Sequence, residues 1–187
     1  MQVRLDKRAR IIADGGQAYP VDLLRDHTLV QVRQKYTDDT GELTLAPGEE
    51  TTDEVTVGGR VVFVRNTGKL CFASLQDGFT ETSNGERLQI MLSKAEVGDE
   101  SLAAWKSDVD LGDHVWVRGR VVVSRRGELS IMAAEWRMAS KALRPLPTLH
   151  KELSEETRVR RRYADLVVRE ESRQMVRTRA AVSYTHL

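Results

Sequence analysis

The chain has 187 residues, enough for one well-cored domain with appendages and short for two full domains. Lys and Arg number 29 against 28 Asp and Glu, a formal net charge of +1, so a generic cationic coat for nucleic acid is excluded. A single Cys removes any internal disulfide framework or Cys-rich zinc site. No apolar run approaches the roughly 20 residues of a membrane span, and the N-terminus lacks the apolar stretch of a secretory signal.

The charge is distributed unevenly. Residues 36–57 hold seven acidic and no basic residues, whereas residues 1–35, 58–147 and 148–187 each carry a basic excess. In chain order, apolar residues at Leu5, Ala9, Ile11 and Ile12 predict a first helix, stopped by Gly15-Gly16. After Tyr19-Pro20 a short second helix is expected, with Asp26 as N-cap and its end at Tyr36. Residues 37–54, rich in Asp, Thr, Gly and Glu, read as a solvated acidic linker.

From Val55 the hydrophobic period becomes two. A strand over 55–64 is followed by the turn Asn66-Thr67-Gly68-Lys69, a returning strand over 70–76, a loop over 77–86 and a third strand over 87–92. In the third strand Leu88, Ile90 and Leu92 share the core face, and Arg87, Gln89 and Met91 the exposed one. A helical crossover spans 94–107, a fourth strand His114 to Val123, and a fifth Glu128 to Met138 after an Arg125-Arg126-Gly127 hairpin turn. Five strands with a helix between the third and fourth form the element order of the OB-fold. The expected architecture is an all-β core, a five-stranded OB-fold barrel with flanking N- and C-terminal helices. Its segments are 1–54 (helices and acidic linker), 55–147 (OB-fold) and 148–187 (helices rich in Arg and Glu after the stiff exit Leu143 to Pro147).

The informative surface is the outer face of the first three strands. With Cys71 and Ala73 inward, Phe72 stands outside, where an aromatic on an OB-fold strand stacks on an unpaired base; the alternative is packing under the linker or another domain. Gln89 carries an amide able to read a base edge, or is simply a solvated strand residue. Arg65 can hold a phosphate or base carbonyl, and Glu128 can accept from a base imino group. The run Arg158, Arg160, Arg161 and Arg162 reads as an ion-paired helix surface beside Glu152, Glu155 and Glu156. The four His have no ligand spacing, so no metal is assigned. No phosphate-binding loop or nucleophile elbow occurs, so no catalytic residue is assigned within these residues.

The stretches GRVVFVRNTGKLCFASLQDG (59–78), RLQIML (87–92), GELSI (127–131), KALRPLP (141–147) and RRRYADLVVREESRQMVRTRA (160–180), with DKRARIIADGGQAYPVD (6–22) upstream, resemble bacterial class II lysyl-tRNA synthetases. The resemblance implies that the OB-fold binds the anticodon of lysine tRNA. By matching position, Phe72 stacks on the central uridine and Gln89 reads its edge, while Arg65 lies at the anticodon and Glu128 contacts its first base. It also implies a full-length cytoplasmic homodimer that uses ATP and magnesium to charge the tRNA, with no cofactor in this chain, no DNA partner and no membrane contact of this segment. Two departures stand out: the loop Gly78 to Glu86 is longer than the family's hairpin, and Ser183 to Leu187 leaves the family pattern before the first class II motif. The segment is therefore expected to be the inactive front part of a longer enzyme. The competing expectations are a non-catalytic OB-fold single-strand binder, with little base preference and steep salt dependence, and the ligase part of a lysyl-phosphatidylglycerol synthase fusion.

Overall fold

The structure, a computed structural model, describes residues 1–77, 86–147 and 153–185. Five strands follow the expected order: β1 (Glu50–Thr67), β2 (Leu70–Gln76), β3 (Arg87–Ser93), β4 (His114–Val123) and β5 (Leu129–Ser140). They pair in the order β1-β2-β3-β5-β4, and β4 pairs back onto β1, so the sheet closes on itself. All ladders are antiparallel except β3 with β5. The interior is filled by the inward set that alternation selects, including Val57, Cys71, Leu75, Ile90, Val117 and Ile131. Their branched and small side chains suit a tight interior.

Two expectations at the front of the sheet are corrected. The first strand begins at Glu50, so the last five residues of the stretch read as a solvated linker belong to the sheet. The exposed Glu54 and Glu50 side chains face arginines of β4, Glu54 to Arg118 at 3.0 Å and Glu50 to Arg120 at 3.7 Å, while Asp53 pairs with Lys35 at 2.6 Å. The second helix, α2 (Leu29–Lys35), is capped by Thr28 and not by Asp26. Thr28 and Gln31 form a reciprocal capping box, each accepting from the other's backbone N–H. Asp26 instead accepts from the Thr56 N–H of β1 at 2.7 Å.

The first helix, α1 (Gln2–Ala13), forms where the apolar periodicity places it, yet none of its residues is buried. It is stapled by polar contacts: Arg4 donates to the Leu111 carbonyl at 2.8 Å, Lys7 pairs with Asp110 at 2.8 Å, and Arg10 pairs with Asp108. The crossover is two helices, α3 (Lys94–Val97) and α4 (Asp99–Asp108), broken at Gly98 with φ +82°. Trp105 of α4 is fully buried and meets Trp136 edge to face, with centroids 5.1 Å apart.

After β5, Lys141 has no exposed side-chain surface. Its ammonium lies 2.7 Å from both Asp113 and Asp110 and donates to the Asp108 carbonyl at 2.6 Å. Burial pushes the Asp110 carboxyl up, but hydrogen bonds from Lys141 and Lys7 outweigh it and hold that group below the ordinary carboxylate value.

A second compact unit among the described residues holds α5 (Glu155–Arg160), α6 (Arg162–Val168) and α7 (Glu170–Thr185). The basic run lies here, and its pairing is partly as expected: Arg160 meets Glu156 at 3.3 Å, but Arg162 meets the buried Asp165 downstream at 2.6 Å. Ser172 donates to the same Asp165 carboxylate at 2.6 Å, tying α7 to α6. Glu152 lies outside the described residues. No described helix is long and apolar enough to cross a membrane.

Candidate nucleic-acid interface

The candidate face is built by register. Antiparallel pairing sets Arg65 of β1 opposite Phe72 of β2, and Phe72 opposite Met91 of β3. One step along, Phe63, Ser74 and Gln89 form the next row, and Gln89 pairs in parallel with Ser130 of β5. Cys71 and Ala73 are buried inside the sheet, which turns Phe72 outward, where it is half-buried. The Arg65 guanidinium carbon lies 4.8 Å from the Phe72 ring centroid, a cation–π contact on an exposed strand end. An aromatic ring beside a cation is the combination with which single-strand binders stack a base and attract its phosphate backbone.

Gln89 is not a freely rotating surface amide. Its Nε2 donates to the Ser130 hydroxyl at 2.8 Å, and that hydroxyl donates to the Glu128 carbonyl at 2.9 Å. This chain couples Gln89 to the start of β5 and turns Oε1 away from Ser130. The Glu128 side chain itself is exposed, and its carboxylate lies 4.0 Å from Arg33 of α2. Arg33 also pairs with Glu86 at 2.6 Å and donates to the Arg87 carbonyl at 2.6 Å, fastening α2 to the start of β3.

The structure thus brings Arg65 and Phe72 into contact and sets Gln89 one row away on the same face. Glu128 sits at the margin, joined to Gln89 through its backbone and Ser130. The expectations about the loop Gly78 to Glu86 lie outside the described residues, apart from Glu86. Sequence reasoning missed three neighbours. Ser130 had a signal, since it is two residues beyond Glu128 in GELSI and therefore on the same side of the strand. Arg33 had none, because only tertiary packing carries α2 to β3. Phe63 was obscured by an irregularity in β1. Exposed Arg125 and Arg126 form the adjacent β4–β5 turn, closed by Gly127 at φ +81°.

The closed five-stranded sheet carries an outward aromatic ring and a held amide on one outer face, and residues 55–139 match the OB-fold nucleic acid binding domain of the tRNA anticodon family. Over 182 residues, 97% of this chain, it is 59% identical to a lysine-tRNA ligase of Kineococcus radiotolerans, and it is 56% identical over 181 residues to that of Mycolicibacterium gilvum. It is also 38% identical over 183 residues to a lysylphosphatidylglycerol biosynthesis bifunctional protein of Rhodococcus jostii. The chain spans 34% of the length of each of the two ligases and 15% of the bifunctional protein. Residues 55–139 thus carry an OB-fold nucleic acid binding domain, and nearly the whole chain is similar to part of the lysine-tRNA ligases.

Proposed function

We propose that this segment reads the U-rich anticodon of a lysine tRNA, with Phe72 stacking on the central uridine and Gln89 reading its edge. The observation that carries this is the shared outer face on which Arg65 backs the Phe72 ring at 4.8 Å while Ser130 holds the Gln89 amide. With one Nε2 proton committed to Ser130, the amide offers its other N–H and Oε1 as a donor–acceptor pair, which matches the O4 acceptor and N3–H donor of uracil. Arg65 supplies positive charge at the anticodon. The exposed Glu128 carboxylate accepts from the first anticodon base.

The protein to which the segment belongs would be a cytoplasmic, homodimeric lysine-tRNA ligase that activates lysine with ATP and magnesium before esterifying the tRNA. Those steps fall to the part of such a ligase that these residues do not span. Among the described residues no group of three or more His, Cys, Asp or Glu side chains is placed to hold a metal ion.

The test is binding of the chain to hairpins bearing the anticodon loop. A UUU loop is expected to bind more tightly than the same loop with the central U replaced by C, and Phe72→Ala to weaken UUU binding by about 1–3 kcal/mol. Equal binding of both loops, with a steep salt dependence, would overturn the reading in favour of a non-selective single-strand binder.

A further inference from the structure

The outer face carries a second aromatic that simple alternation would bury. Val55, Val57 and Val61 point inward along β1, and continuing by twos would place Phe63 inward as well. The ladder does not continue by twos. Val61 pairs with Leu75 and Phe63 with Ser74, so β1 uses two steps where β2 uses one. Val62 is the extra residue of this bulge and is itself buried, at 5% exposure. Beyond it the phase is reversed: Phe63 and Arg65 face out, and Phe63 is 54% exposed.

Its neighbours define what it can hold. Ser74, directly opposite, is too small to cover the ring, and Gln89 stands beyond Ser74 in the same row. Phe72 lies two residues from Ser74 on β2, which makes the two rings diagonal cross-strand neighbours, typically about 7–8 Å apart between backbones. Arg65 flanks both, two residues along β1 and opposite Phe72. An exposed aromatic set between a held amide and a cation, and continuous with the Phe72 face, has the features of a base-stacking surface. A protein-docking patch would extend the apolar area, whereas here the row continues into Ser74 and Gln89.

We propose that Phe63 is a second stacking platform, which takes the unpaired base adjacent to the one on Phe72. The proposal rests on the anticodon reading above and extends it from one base to two. The bulge at Val62 is then a functional device, because one inserted residue delivers both Phe63 and Arg65 to the outer face.

The experiment measures binding of the chain and its variants to UUU-loop hairpins, intact or with an abasic site at either position beside the central U. Phe63→Ala is expected to weaken binding of the intact hairpin by about 5- to 150-fold, and Phe63→Trp to restore it. At one flanking position the abasic change should cost the parent chain a similar factor and cost Phe63→Ala nothing further. Circular dichroism of each variant verifies the fold, and sedimentation its association state. If Phe63→Ala binds like the parent while Phe72→Ala is impaired, the second platform is overturned and the anticodon reading stands. If neither variant is impaired, the anticodon reading itself falls. A weakened Phe63→Ala for which both abasic sites still cost the full factor also overturns the proposal, since the ring would then not be stacking on either base. A change in sedimentation without a change in hairpin binding overturns it in favour of a contact between copies of the chain.

Discussion

Ser130 has no exposed surface, yet it governs what Gln89 can read. Its single hydroxyl proton goes to the Glu128 carbonyl, so toward Gln89 it can only accept. Rotating the amide by half a turn would set Oε1 against that oxygen, leaving two acceptors facing each other at a cost of about 1–3 kcal/mol. Uracil presents acceptor then proton donor along its edge, and cytosine presents the reverse, so cytosine requires the rotated amide. Ser130→Ala removes the penalty for rotation. The ratio of dissociation constants for central-C and central-U hairpins is expected to fall by about tenfold, with a smaller loss of affinity for UUU. An unchanged ratio would show that Ser130 does not orient the amide.

At the scale of elements, the join between β5 and the exit segment depends on a buried charge cluster. Asp113 is fully buried, and besides Lys141 it accepts from the backbone N–H groups of Asp110 and Ala142 at 2.7 and 2.8 Å. Removing the cation leaves that carboxylate uncompensated, a loss of about 3–5 kcal/mol. Lys141→Met is therefore expected to lower the melting temperature by roughly 10 °C, read from the near-ultraviolet signal of the Trp105–Trp136 pair. A shift of only a degree or two would mean that the backbone donors suffice. This cluster was not legible in the sequence, because its members come from the approach to β4 and from the chain after β5 and meet only through the fold. The strands themselves were legible: β2 and β4 span the residues that period-two patterning selects, since one face of each meets the core and the other solvent. Where backbone pairing decided the outcome, composition misled. Glu50 and Glu54 look like linker residues but pair with β4, and their carboxylates, like that of Asp53 between them, are met by arginine or lysine partners. The candidate face was legible at Phe72 and Gln89 for the same reason as the strands. The inversion at Val62 was not, since an inserted residue in a β-branched run carries no mark of its own.

For the whole molecule, the near-zero net charge conceals pairing more than absence of charge. The seven acidic residues of 36–57 are partly spent on local cations, Asp53 on Lys35, Glu54 on Arg118 and Glu50 on Arg120. The same organisation sets the response to acid. His114, at the start of β4, is held below the usual histidine value by burial and by Arg60 across the ladder, against the weaker opposite pull of Asp113 and Asp77. An unfolded chain binds a proton there near pH 6.5, where the folded one does not, so the unfolded state holds more protons below that pH. Stability should then be flat above about pH 7 and begin to fall as the pH drops through about 6.5, with a slope of at most about 1.4 kcal/mol per pH unit for this one group. The carboxylates act later. Burial opposes the shift at Asp110 and Asp165, but hydrogen bonds and neighbouring cations keep both below the ordinary value. Their contribution is present above about pH 4 and is lost as the pH falls through their folded values. Urea midpoints measured across this range should show two stages, a shallow decline beginning near neutrality and a steeper one in acid. His114→Asn should flatten the first stage and leave the second in place. If the variant and parent curves run parallel between about pH 7.5 and 5, the first stage does not belong to His114.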